Sequence, residues 1–231
     1  LTIASGGSLK LTADTANNDI DNQGILDIEQ NTSTINSTTF TNSGVLTIRG
    51  TSGSNAQLTV TNGFTNAGTI TLDNASSVTR SQTLTVSNGT LTNQGTISTT
   101  QTGAGAVNHL INANIINTGT IDIDATATIN ATTFDTSAGS IDVASGSTLN
   151  LNSATTTIGT SSSLTGGGTI NLIGTQALNF ASPYTISATS TLLDPTGTIT
   201  FGGPGSLTIA SGGSLKLTAD TANNDIDNQG I

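Results

Sequence analysis

Apolar and polar residues recur along this chain in one phrase, apolar-x-Asn-x-Gly-x-apolar-x-apolar. It reads IDNQGILDI (Ile20 to Ile28), FTNSGVLTI (Phe40 to Ile48), FTNAGTITL (Phe64 to Leu72), LTNQGTIST (Leu91 to Thr99) and IINTGTIDI (Ile115 to Ile123). Looser copies follow as FDTSAGSIDV (Phe134 to Val143), LTGGGTINL (Leu164 to Leu172) and LDPTGTITF (Leu193 to Phe201), and IDNQGI returns at Ile226. The anchoring turn glycines are Gly24, Gly44, Gly68, Gly95, Gly119, Gly139, Gly168 and Gly197, then Gly230, at spacings of 20 to 33 residues. Self-similarity at such a period marks a solenoid or a related array.

Alignment on glycine turns the sequence into columns. Two residues after it stand Leu26, Leu46, Ile70, Ile97, Ile121, Ile141, Ile170 and Ile199; four after it stand Ile28, Ile48, Leu72, Thr99, Ile123, Val143, Leu172 and Phe201. The positions between them are mostly Thr, Ser, Asp or Asn, the alternation of a strand with one buried face. A second short strand recurs further on, at Leu58/Val60, Leu84/Val86, Leu149/Leu151, Leu178/Phe180 and Leu207/Ile209. Helix is disfavoured, because no segment carries a sustained i, i+3, i+4 apolar stripe and β-branched residues fill the apolar columns. A hairpin sandwich would not need one residue class at one place in every copy. Stacked parallel coils do, since each residue lies about 4.8 Å above its counterpart one coil earlier. The expectation is an all-β parallel β-solenoid, or β-helix.

A longer period encloses the short one. Leu1 to Ile25 and Leu207 to Ile231 are the same letters, LTIASGGSLKLTADTANNDIDNQGI, so residues 1–206 form one long repeat and residues 207–231 begin the next. Eight glycine steps fit in that unit, which predicts about eight coils and an advance of about 38 Å per repeat. Neither end reads as a cap, so the stack is expected to continue into neighbouring copies end to end.

Composition narrows the chemistry. Five Phe and one Tyr, with no Trp, Cys or Met, leave a thin aliphatic core and exclude disulfide or thiolate-metal chemistry. Fourteen acids against Lys10, Arg49, Arg80 and Lys216 give a formal charge of −10. That balance argues against nucleic acid, whose phosphates need a basic footprint, and against docking on an anionic membrane. No apolar run is long enough to insert as a spanning helix.

Among candidate residues, the Asn column (Asn22, Asn42, Asn66, Asn93, Asn117) is the most specific. Asn tolerates left-handed corners, and its amide can bond the equivalent amide one coil away, giving a structural ladder. The column becomes Ser137, Gly166 and Pro195 in the later copies, where the ladder should stop. Phe40 and Phe64 read as a core stack. Asp19/Asp21 and Asp122/Asp124 are two apart, and Asp122 shares a column with Asp142. Solvated surface is the favoured reading; calcium at Asp122, Asp124 and Asp142 is the alternative, although neither G-G-x-G-x-D nor an EF-hand loop is present. His109 is the only histidine and reads as a surface or turn residue, the two arginines are far apart in sequence, and no catalytic set emerges. Outward Thr69/Thr71, Thr96/Ser98 and Thr198/Thr200 have the spacing of an ice-binding face. Asp27, Asp122 and Asp142 interrupt that face, and exposed strand Thr explains it more simply.

The phrase N-x-G-x-I-x-I, set among SGGSL, NGTL and ASGSTLNL, resembles the repeats of filamentous-haemagglutinin-like and autotransporter-type bacterial surface adhesins. The resemblance implies export to the bacterial surface and a long right-handed β-helical shaft carrying an adhesive tip. The expected function is a non-enzymatic structural repeat of an extracellular fibre or giant adhesin, without a cofactor. Its alternative is a shaft that itself binds glycan or calcium. Lateral contacts between fibres through Thr and Asn faces are a further expected partnership.

Overall fold

The computed structural model describes residues 1–186, 191–193, 197–215, 217, 220–223 and 225–229. Pro195, Lys216 and Gly230, named above, lie outside them. Among the described residues every regular element is a β-strand. The strands stack in parallel into ladders of sixteen, eight and three, the parallel solenoid that the columns predict.

Each turn has three faces. The first, the glycine face, carries the strands Ser8–Leu11, Ile25–Glu29, Val45–Gly50, Thr69–Asn74, Thr96–Thr100, Thr120–Ile123, Ser140–Val143 and Ser163–Thr165. The other two are made by bent strands, Ala56–Asn66, Arg80–Asn93, Val107–Asn117, Ala127–Thr136 and Thr148–Ile158. Their first arms form a middle face, and their second arms an amide face that holds the Asn column. Register shifts at Asn88/Leu91 and Asn112/Ile115 mark the bend. In the early turns the two arms are separate strands, Asn31–Ile35 and Phe40–Asn42, and they separate again as Thr169–Leu172 and Thr175–Phe180.

Inward residues pile directly on one another, because parallel pairing at constant register puts the same strand position on the same face in every turn. One core column runs Leu58, Leu84, Ile111, Ile129, Leu151 and Leu172. Another runs Ile20, Phe40, Phe64, Leu91, Ile115 and Phe134; the Phe40 and Phe64 rings lie 4.7 Å apart, buried as a core stack. Each such side chain contributes about 1.5–3 kcal/mol relative to an exposed one.

The glycine alignment holds for six copies and then departs from the structure. Leu164, not Ile170, follows Ile141 on the glycine face. Ile170 and Leu172 lie on Leu149 and Leu151 in the middle face, while Ile199 and Phe201 lie on Gln176 and Leu178 in the amide face. Thr198 and Thr200 move with them, away from the Thr column. From Ser140 to its partner Ser163 is one turn, shorter than the spacing of Gly139 and Gly168. The segment LTGGGTINL therefore starts on one face and ends on the next.

Turn lengths run from 17 residues (Ser8 to Ile25) to 27 (Leu84 to Ile111). Nine turns carry the chain from Ile3 through the Asn column, Thr136, Ile158 and Phe180 to Gly203, whose backbone lies against that of Phe180. Ile209, the second copy of Ile3, stands six residues further, on the next face. A 206-residue unit thus holds nine turns and one face rather than eight coils. Accordingly Ser8–Leu9 pair on the glycine face, but their copies Ser214–Leu215 pair with Thr191–Leu192 on the middle face. Thr15–Ala16 pair on the middle face, and Thr221–Ala222 on the amide face.

Candidate functional site

The amide face contains the expected ladder. Asn22 Nδ2 donates to Asn42 Oδ1 at 2.6 Å, Asn42 to Asn66 at 2.6 Å, Asn66 to Asn93 at 2.7 Å and Asn93 to Asn117 at 2.8 Å. All five are buried. Each Nδ2 also donates to a backbone carbonyl of the following turn, in order Val45, Thr69, Thr96, Thr120 and Ser140. The Asn backbone carbonyl accepts two N–H groups from the next Asn-x-Gly corner, as Asn22 does from Ser43 and Gly44. One residue type therefore satisfies itself along the axis, a requirement for any buried polar group. The ladder ends one residue earlier than the sequence alignment places it: Asn117 donates to the hydroxyl of Thr136, not to Ser137, and Ile158 follows. At its start Asn22 Oδ1 has no donor, because Ile3 lies one turn earlier.

The corner chemistry differs from the sequence expectation. Among the described non-glycine residues only Ala13, Gln30 and Asn31 have positive φ, so the Asn column is not left-handed. Gly44, Gly68, Gly95 and Gly119 are not left-handed either. A Cβ on any of them would fall less than 3 Å from the carbonyl oxygen of the glycine one turn earlier. Close approach of stacked backbones is what demands glycine here. Gly7, which the phrase alignment omitted, lies under Gly24 in the same column. Gly139 instead abuts the Asn117 amide, Gly168 lies over Ala144 and Gly197 over Gly174.

A charged ladder crosses the glycine face. Glu29, Arg49, Asp73 and Thr100 are consecutive in register. Arg49 Nε lies 3.4 Å from Asp73 Oδ2 and its Nη1 lies 4.0 Å from Glu29 Oε1, while Lys10 pairs with Glu29 from the turn before. Asp73 is buried and accepts from Thr100 Oγ1 and from the backbone N–H of Thr102. The Lys10 hydrogen bond holds the Glu29 carboxyl below its ordinary range, whereas burial pushes the neighbouring Asp27 up. Counting five residues past each glycine would have revealed this column: Glu29, Arg49, Asp73, Thr100, Asp124.

His109 is buried, not a surface residue. It stacks on Gln82 inside the middle face, with Nε2 3.0 Å from the Thr100 carbonyl. Burial lowers its pKa to about 4, against the opposing influence of that carbonyl and of Asp73. His109 Nδ1 and both polar atoms of the Gln82 amide have no protein partner.

The acidic candidates are partly brought together. Asp122 pairs in register with Asp142, and burial followed by the charges of Asp124 and Asp142 raises its pKa. Asp142 accepts from the Thr165 hydroxyl, and Asp124 stands exposed just past the strand. Among the described residues no three His, Cys, Asp or Glu converge on a metal-sized position. An open groove of about 550 Å³ lies in the concave bend, lined by Asn112, Asn130 and Asn152. Their amides bond one another at 2.9 and 3.1 Å. No family model, curated protein or solved structure matches this chain.

Proposed function

We infer that the chain is a rod-forming tandem repeat of an extracellular fibre or giant bacterial surface adhesin, acting as spacer or scaffold and without catalysis of its own. The observation that carries this reading is the seam between the two copies. Leu207–Ile209 stack on Tyr184–Ile186, and Ile226–Asn228 stack on Leu207–Ile209 in the register that joins Thr2–Ile3 to Asp21–Asn22. A sequence that resumes its stack wherever it repeats makes a rod whose length is set by copy number. The polar side chains outside the core are largely spent on neighbours one turn away, which suits a stiff element better than a ligand site.

Proteins carrying one, two and four copies test the rod. Small-angle scattering should give a constant cross-section and a length that rises by roughly 45 Å per copy, nine and a third turns at about 4.8 Å. A compact or coil-like particle refutes it. A glycan array and a calcium titration on the same proteins test passivity, and specific binding by the repeat would replace the scaffold reading with that of an adhesive shaft.

A further inference from the structure

Among the described residues six buried side-chain polar atoms lack a protein partner, and three of them belong to one stacked pair, Gln82 and His109. The other three have a simpler setting. Asn22 Oδ1 starts the amide ladder, and Asp27 and Asn171 are half-buried residues of outward-facing positions. Gln82 and His109, by contrast, are 0% and 1% exposed and point into the solenoid. Ala56 precedes them in the same column and Ala127 follows, so two methyl groups bracket two long polar side chains.

The open atoms have defined roles. His109 Nε2 lies 3.0 Å from the Thr100 carbonyl, which can only accept, so Nε2 carries the hydrogen and Nδ1 of the neutral ring is a bare acceptor. Gln82 offers an acceptor at Oε1 and a donor at Nε2, and its amide is pressed toward the corner at Gly50, where a Cβ would fall 2.1 Å from Nε2. Neither side chain bonds the other, although they are register neighbours one turn apart. Turns are spaced by about 4.8 Å, too far for a direct bond between side chains that run parallel. Two hydrogen bonds of about 2.8 Å that meet at a tetrahedral angle span about 4.6 Å. A single bridging oxygen therefore fits the step between the two turns.

We propose that Gln82 and His109 form an internal water site in the core of the solenoid, where bound water donates to His109 Nδ1 and bonds the Gln82 amide. The chemistry selects water over an ion. A cation cannot accept from Nε2, an anion cannot donate to Nδ1 or Oε1, and water does both. Buried water commonly makes about three bonds of this kind to groups that the protein leaves open. The site depends only on the stacking of two turns, so it and the shaft role fail separately.

A crystal structure that resolves ordered solvent tests this on the unaltered chain. It should show a water oxygen within about 3.2 Å of both His109 Nδ1 and a polar atom of the Gln82 amide. Nitrogen-15 spectra should show His109 as the neutral tautomer with hydrogen on Nε2. Magnetic relaxation dispersion of the water oxygen-17 signal counts long-lived internal water, and a Gln82→Leu/His109→Leu chain that keeps its β-sheet circular dichroism should lose at least one such molecule relative to the unaltered chain. A direct bond between Gln82 and His109, no solvent density between them, hydrogen on Nδ1, or an unchanged dispersion amplitude in the folded variant overturns the proposal.

Discussion

Asn66 Nδ2 donates to Asn93 Oδ1 at 2.7 Å, from one turn of the solenoid to the next, with both side chains fully buried. Replacing Asn66 by Ala removes a donor and an acceptor from the middle of the ladder and leaves Asn42 Nδ2 and Asn93 Oδ1 short of one partner each. A stranded buried polar group costs about 1–3 kcal/mol. Asn66→Ala should therefore lose more stability than Asn152→Ala on the outer groove, and urea unfolding of the two variants checks the order.

The glycine column makes a contrast of mechanisms. A Cβ at Gly68 meets the Gly44 carbonyl, whereas one at Gly146 meets nothing within 4 Å but sits at φ +87°. Gly146→Ala should cost about 1–2 kcal/mol of backbone strain. Gly68→Ala has to separate two turns, and it should lose more than about 4 kcal/mol, in the range reserved for core disruption. Thermal unfolding of both variants measures the difference.

Arg49 holds a buried Asp73 carboxylate on the glycine face. Arg49→Met leaves that carboxylate its Thr100 and Thr102 donors but removes its cation, and because the Arg49 side chain is 40% exposed the loss should be about 1–3 kcal/mol. Combining it with Asp73→Asn removes the stranded charge and should recover most of the loss. A double-mutant cycle in denaturant reads the coupling.

Acid should weaken the fold through His109. Its pKa is lowered to about 4 in the folded chain against an ordinary 6.5, so between those values the unfolded state binds more protons. The stability contributed by the neutral ring is complete above about pH 6.5 and is lost as pH falls toward 4, at most about 3 kcal/mol in all. The Asp27 and Asp122 carboxyls, raised by burial, oppose this at lower pH, since protonation there favours the folded state. His109→Phe should flatten the stability profile between pH 4 and 6.5, as followed by denaturant midpoints across that range.

A protein of three or more copies should show a screw. Each unit begins one face further round than the last, so any feature, such as the Lys10–Glu29–Arg49–Asp73 ladder, returns to the same side of the rod only every third copy. Helical reconstruction from electron micrographs should give a rotation near a third of a turn per unit. Units related by translation alone would contradict the seam register.

Much of this architecture is written in local order. Alternation of apolar and polar residues fixes strands, the recurrence of Asn-x-Gly fixes corners, and the same order of residue classes around each corner calls for parallel stacking, which repeats each class in place. The Asn ladder from Asn22 to Asn117 and the Phe40–Phe64 stack were legible for that reason. Three-dimensional packing alone decided which face each later strand joins. Period-two alternation looks the same on every face, so Ile170 and Ile199 match the glycine-face pattern while the lengths of the intervening turns carry them to the middle and amide faces. Turn length also set the one-face offset of the second copy. The pairing of Arg49 with Glu29 and Asp73, and the burial of His109, follow from the same cause: residues some twenty apart in sequence become neighbours only when the register of whole turns is settled.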